Sequence, residues 1–304
     1  MPSLRLLAAA PLTLTLAMGV CCTCLWRREL SKRRAAERKV SELRAVLRLA
    51  EVNNRKRTLE SLRAEMAFCA RATDVVIATF PKCGTTLLQQ LVHQLRTGGS
   101  WDFAEISDVV PWLESCLDFG VDPQREQGSS PRAFKSHMSW PMLPRGARVI
   151  TVLRKPSQVL ESFYNFYGGY KFDKAEIGID AFARNFFAHR GMMRLHGGTY
   201  YEHLLSFWEK RDQPNLLILC YEDVVADPTA AAAQVAAFIG VPPEASRLAM
   251  AVANSSRDAM LLHGDKFDDA PGRRAFNELC GQAAETGVGV TTKVNPAATF
   301  FFLI

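Results

Sequence analysis

An α/β fold built on a parallel sheet, with helices over both faces, is predicted by three features of the sequence. Short β-branched apolar runs, Asp74-Val-Val-Ile-Ala-Thr-Phe80, Arg148-Val-Ile-Thr-Val-Leu153 and Leu216–Cys220, are each followed by a segment of helical periodicity. The runs lack polar alternation, which marks strands buried on both faces. The 233 residues after Arg71 suffice for one sizeable domain with its own core.

The N-terminal quarter reads differently. From Leu6 to Trp26 the 21 residues are uncharged and mostly apolar, long enough to cross a hydrocarbon core of about 30 Å. Residues 1–26 are therefore expected to form a hydrophobic helix acting as a membrane anchor, with a signal segment as the alternative. Residues 27–71 read as a basic helical stalk. Val40, Leu43 and Leu47, then Leu59, Leu62 and Met66, recur at helical spacing among charges. Such a helix is expected to be solvated and to lay one edge on the body.

Charge is divided in the same way. Fifteen Lys and Arg against six Glu up to Arg71 give +9, so the rest of the chain carries −3 of the overall +6. The cations that follow the apolar run point, by the positive-inside rule, to a single-pass membrane protein whose body faces the cytosol. The slightly acidic body argues against a nucleic-acid partner, which needs its basic patch on the folded domain. Five of the eight cysteines are scattered singly, so neither a disulfide framework nor a metal cluster is expected.

The strand ending at Phe80 feeds Pro81-Lys-Cys-Gly-Thr-Thr86. Leu87, Leu88, Leu91, Val92 and Leu95 then follow at helical spacing until Gly98-Gly99 stops the helix. Strand, Gly-bearing turn and helix in succession make a phosphate cradle: backbone N–H groups at the helix start face an anion, two Thr hydroxyls add donors and Lys82 adds charge. An ordinary strand–helix turn is the competing reading. A Walker A loop is excluded because Lys82 precedes the turn's Gly, which demotes a nucleotide kinase. Lys135 and His137, two apart in Ala133-Phe-Lys-Ser-His-Met138, share a side if that segment is extended. A helix is expected from about Pro156, and another over Pro228–Ile239, ended by Gly240.

These blocks resemble those of the sulfotransferases that use PAPS (3′-phosphoadenosine 5′-phosphosulfate). Phe80-Pro-Lys-Cys-Gly-Thr-Thr86 is similar to the family's 5′-phosphosulfate loop, and Phe134-Lys-Ser-His137 to the segment carrying its catalytic histidine. Arg154-Lys-Pro-Ser-Gln-Val-Leu-Glu-Ser162 resembles its 3′-phosphate motif. Gly198-Thr-Tyr-Tyr-Glu-His-Leu and Leu219-Cys-Tyr-Glu-Asp223 are further family-like blocks.

The resemblance implies a P-loop-like three-layer sandwich over residues 72–304, with a central parallel sheet. It implies sulfuryl transfer from PAPS as co-substrate, without a metal, to a hydroxyl or amine acceptor. His137 would act as general base, with Lys82 and Lys135 as catalytic cations. Lys82, Cys83, Gly84, Thr85 and Thr86 would hold the 5′-phosphate, Arg154 and Ser162 the 3′-phosphate, and Tyr221 would pack in the core or on the adenine side. The acceptor class stays open among carbohydrate, lipid-like alcohol and small phenol; Phe103, Trp112, Trp140, Tyr167 and Tyr170 are candidates to line its pocket. Analogy with anchored members of the family suggests a Golgi body.

Three positions depart from the family pattern. Cys83 stands for a commoner Ser, and Leu87 for a commoner Trp. The basic loop that closes over the 3′-phosphate has at most Lys293 as a remnant, so the C-terminal end reads as incomplete. A PAP- or partner-binding membrane protein without turnover is the alternative.

Overall fold

The computed structural model describes residues 10–54, 63, 67–168, 171–188, 198–268, 270–279, 281, 283–285, 293 and 294, with the backbone alone for 10–24, 52–54, 119, 271, 275, 276 and 279. Four strands, β1 (Val75–Ala78), β2 (Ala133–Ser136), β3 (Arg148–Leu153) and β4 (Leu216–Cys220), are parallel and lie in the order β2-β1-β3-β4. Val76 sits between Phe134 of β2 and Val149 of β3, and Thr151 pairs with Ile218 of β4. The chain leaves β1 toward β2 on one side and then crosses to β3 on the other. The crevice at the carboxyl end of β1 is therefore a topological switch point, where sheets of this kind hold ligands.

Alternation along the strands divides the core. Val75 and Ile77 pack with Leu88, Leu91, Val92 and Leu95 of α2 (Thr85–Thr97). Val76 and Ala78 face the other way, onto Phe68, Phe134, Val149 and Phe207. A third cluster gathers Phe163 and Tyr167 of α3 (Pro156–Tyr167), Phe182, Phe186, and Tyr200 of α4 (Tyr200–Trp208). The helix termini follow the sequence signals. Gly98 ends α2 in the left-handed conformation, Pro156 opens α3, and Thr199 caps α4 through a capping box with Glu202. Beyond β4 come α5 (Tyr221–Ala226) and α6 (Pro228–Ile239), the latter ended by left-handed Gly240.

At the N-terminus, α1 (Ala10–Asn54) runs as one helix across residue 26. It does lay one edge on the body, but not the edge expected. Val40, Leu43 and Leu47 remain 47, 38 and 63% exposed, while Ala45, Val46 and Leu49 are buried against the Phe163–Phe182–Phe186 cluster. Glu42, one turn before Ala45, accepts a hydrogen bond from the Gly178 amide at 3.0 Å. Leu59, Leu62 and Met66 lie outside the described residues.

The single-pass membrane placement, whether Golgi or cytosol-facing, requires correction. Among the described residues, no helix is long and apolar enough to cross a membrane. The physical reason is charge: from Leu25 onward α1 carries Arg27, Arg28, Lys32, Arg33, Arg34, Arg38 and Lys39, all exposed. The beginning of the apolar run, Leu6–Ala9, lies outside the described residues, as do the side chains up to Cys24.

Below the sheet's opposite edge, Asp74 and Arg132 form a buried bidentate pair, with Nε at 2.9 Å and Nη2 at 2.6 Å from the two carboxylate oxygens. The Asp74 carboxylate also accepts from the Arg71 amide at 2.8 Å. Arg132 donates in addition to the Gln124 and Arg125 carbonyls. With side chains 0 and 4% exposed, neither charge can recover hydration if its partner is removed. Asp74→Ala is expected to lower stability by about 3–5 kcal/mol, read from urea unfolding; a replacement of both residues by apolar ones should cost clearly less. Burial also holds the imidazoles of His93 and His203 neutral, lowering them to about 4 and about 3. Unfolded histidine binds its proton near 6.5, so the stability these groups contribute is intact above that pH and is lost as pH falls toward 3. A decline of roughly 1.4 kcal/mol per pH unit per histidine is expected in unfolding curves between pH 6 and pH 4, and His203→Gln should flatten it.

Candidate active site

The loop leaving β1 is shaped by two left-handed residues. Lys82 has φ 71°, the one positive φ at a non-glycine among the described residues, and Gly84 has φ 97°. The Cys83 amide closes the turn on the Phe80 carbonyl at 3.1 Å. Gly84 caps α2 without any side-chain cap, so the first N–H groups of that helix are left for the crevice. A Cβ on Gly84 would lie 2.9 Å from Cδ2 of Tyr221. Glycine is thus required both by the backbone angle and by the ring above it.

Arg154, at the end of β3, secures this arrangement. Its guanidinium stacks on Tyr221 at 4.1 Å from the ring centre, donates to the Lys82 carbonyl at 2.8 Å and reaches Gln158 at 3.3 Å. The Tyr200 hydroxyl in turn donates to the Arg154 carbonyl. Ser162 lies one helical turn beyond Gln158 on the same side of α3. Lys82 rests its ammonium 3.9 Å above the Phe166 ring, and Lys135 its own 4.3 Å above Trp112. Burial, reinforced by the charges of Arg154, Lys135, Lys293 and Arg273, lowers the Lys82 ammonium to about 7.

His137 follows β2 and is gripped from two directions. Its Nδ1 lies 2.8 Å from the Thr79 carbonyl. A carbonyl only accepts, so Nδ1 carries the proton and Nε2 the basic lone pair. Its amide donates to the buried Glu114 carboxyl at 2.5 Å, and its ring meets the Trp112 ring edge-on at 5.3 Å. The Thr79 hydroxyl pairs with that of Thr85 at 2.6 Å. The Thr85 hydroxyl expected to face a phosphate is therefore engaged with the protein, while Thr86 is half-buried at the start of α2. Cys83 is fully buried, and burial pushes its thiol up, out of reach of ionisation.

The residues singled out from the sequence thus converge on the carboxyl end of β1, β2 and β3, with Tyr221 over the loop. Four others belong with them. Thr79, Glu114, Phe166 and Tyr200 each hold one of the predicted residues; Tyr200 lies in the Gly198-Thr-Tyr-Tyr block, and no local motif assigns the other three to the site. The aromatic candidates separate: Trp112 touches His137, but Phe103 packs on His93, Trp140 on Phe207 and Tyr167 on Phe163. Tyr170 lies outside the described residues. Lys293 is buried in an ion pair with Glu105 at 2.6 Å.

A family model described as a sulfotransferase domain matches residues 72–261. The human and mouse proteins named sulfotransferase 4A1 are each 33% identical over 189 residues, covering 60% of this chain and 64% of theirs. Human sulfotransferase 2A1 is 29% identical over 214 residues, covering 68% of this chain and 72% of its own. The chain therefore spans a little under two thirds of the length of the first of these relatives. Among solved structures, mouse sulfotransferase SULT7A1 complexed with PAP superposes with a TM-score of 0.52 at 21% identity, over 67% of this chain and 72% of that one. Retinol dehydratase in complex with androsterone and the inactive cofactor PAP gives 0.55 at 20% identity, over 71% and 74%. These two likenesses show a shared fold, a parallel sheet between helical layers.

The steric argument at Gly84 leads to a direct expectation. Gly84→Ala forces either the loop or Tyr221 to move and should lower stability by about 1–3 kcal/mol, measured by denaturant unfolding. It should also weaken binding of adenosine 3′,5′-bisphosphate (PAP) in calorimetric titration, because the N–H cradle is re-aimed.

Proposed function

The chain belongs to the sulfotransferase domain family, and from that premise we propose that it moves a sulfuryl group from PAPS to the hydroxyl of an apolar acceptor. The observation that carries the proposal is the meeting of an N–H cradle, several cations and a correctly protonated imidazole at one crevice. PAPS, when bound, supplies the activated sulfuryl group. Its several negative charges fit a site where Lys82, Arg154, Lys135, Arg273 and Lys293 lie close enough for the other four to lower Lys82.

The backbone of Gly84, Thr85 and Thr86 receives the 5′-phosphate, with Cys83 contributing main chain alone. Lys82 lies where charge develops on the leaving group. A neighbouring anion favours its ammonium form, reversing the effect of burial. Arg154 and Ser162 face the 3′-phosphate, with Arg154 held by Tyr221 and Gln158. His137 takes the acceptor's hydroxyl proton at Nε2, while its Nδ1–H remains on the Thr79 carbonyl, so the imidazolium that forms is oriented from the start. Lys135 would stabilise charge on the sulfuryl oxygens. Positioning and fixed charge do most of this work, as in related group transfers.

The acceptor reading follows from Phe166 and Trp112, whose rings carry the two lysines. Walls of this kind suit a phenol or lipid-like alcohol better than a carbohydrate, whose hydroxyls would need polar partners. One of the superposed structures is described with androsterone bound, a ligand of that type.

Labelled PAPS offered with phenols, sterols and sugars tests the proposal, together with calorimetric binding of PAP. Turnover on the apolar acceptors is expected, and His137→Ala should lower it by about 10²–10⁴-fold while PAP affinity stays within a few-fold. Absence of PAP binding by the full chain would sink the reading. Binding without turnover, equal in wild type and variant, would mark the protein as a PAP-binding module instead.

A further inference from the structure

The general base of the proposed reaction is held by a segment that no motif contains. Pro111–Ser115 runs alongside the end of β2. Trp112 forms a parallel bridge with Lys135, and the Lys135 amide donates to the Pro111 carbonyl at 2.8 Å. Within this segment Glu114 is fully buried, and its carboxyl accepts the His137 amide at 2.5 Å. Two residues earlier, Trp112 meets the His137 ring edge-on and lies under the Lys135 ammonium. The opposite side of the imidazole is fixed by the Thr79 carbonyl.

We infer that Glu114 is a positioning residue for the transfer: it sets the main chain at His137 so that the imidazole can reach Thr79 and the acceptor together. The inference rests on the sulfuryl-transfer reading for its catalytic consequence, though not for its structural one.

The chemistry favours this assignment over simple packing. A buried carboxyl is costly and persists only with hydrogen bonds to satisfy it. An apolar residue would fill the space at less cost if filling were its only task. The bond it makes, to a backbone amide at the end of an edge strand, has no strand partner to replace it. β2 is the outer strand of the sheet, so among the described residues it is the Pro111–Ser115 segment that lies along its exit on that side. Without the Glu114 carboxyl the His137 amide loses the acceptor that sets its orientation, and the backbone at His137 is held less closely. A shift of the imidazole by about 1 Å is enough to reduce turnover by about 100-fold.

The experiment compares Glu114→Ala, Glu114→Gln and wild type in the full chain. Gln keeps an acceptor oxygen at the same reach, so it should restore what Ala loses. In ¹⁵N spectra of the imidazoles, Glu114→Ala should scramble the His137 tautomer and speed exchange of its Nδ1 proton by at least about 10-fold, whereas Glu114→Gln should resemble wild type. With an acceptor that turns over, Glu114→Ala should lower kcat by about 100-fold with the KM for PAPS and PAP affinity little changed. If Glu114→Ala does not fold, Glu114→Asp, shorter by one methylene, takes its place and should show the same losses. An unchanged His137 signal in the variant that folds overturns the inference, as does equal loss in Ala and Gln. Should no acceptor turn over in wild type, the function reading fails while the spectra still decide the role of Glu114.

Discussion

The structure around the crevice depends on Thr79, the residue that follows β1. Its hydroxyl binds Thr85 in the loop and its carbonyl binds the imidazole of His137. The residue is fully buried, between the sheet and the loop. Two parts of the site that arrive from different strands are thereby tied to one atom group on the central strand. Because β1 is hydrogen-bonded on both sides, Thr79 is as immobile as the sheet allows, and it passes that rigidity to loop and imidazole alike. The Thr79 amide itself donates to the Ser136 carbonyl at 3.2 Å, which extends the pairing of β1 and β2 up to His137.

Electrostatics imposes the second constraint. The body of the chain is slightly acidic as a whole, yet its cations are drawn together at the carboxyl edge of the sheet. Three of them lie against aromatic rings: Lys82 over Phe166, Lys135 over Trp112 and Arg154 over Tyr221. Attraction to a ring face offsets part of the desolvation cost but leaves the charge in place. Arg132 shows the contrasting solution, a cation fully paired with Asp74 at the other end of the strands. One arginine is bound to a buried carboxylate, whereas the other is held by a carbonyl, an amide oxygen and a ring face.

Much of this was legible in the sequence, and the reason is local physics. Apolar runs mark buried parallel strands, Gly84 and Gly98 mark a turn and a helix end, and Pro156 marks a helix start, because each acts within a few residues of itself. The parts that were not legible act at a distance. Thr79 and His137 are 58 residues apart, and Glu114 and His137 are 23 apart. Both bonds use a backbone group of one partner, which carries no sequence signature. Phe166 is indistinguishable in the sequence from Phe163, the other phenylalanine of α3, and its place over Lys82 separates the two. The face of α1 was misjudged for a related reason. Periodicity identifies an apolar stripe, but which stripe docks is decided by the shape of the surface it meets.

That surface explains how the helix and the site are connected. Ala45, Val46 and Leu49 share a cluster with Phe163, Phe182 and Tyr200, and the same cluster contains Phe80 and Cys83. Phe80 precedes the loop, packing edge-on against Tyr200 and Phe187, and Tyr200 holds the Arg154 carbonyl. The contact of α1 therefore reaches the back of the loop after β1 through close-packed aromatic rings. In an interior at crystal-like density, a change in how α1 sits must be taken up by those rings, since no slack separates them. The basic N-terminal segment is thus physically continuous with the wall behind Lys82, although charge and hydropathy alone mark it as a separate piece of the chain.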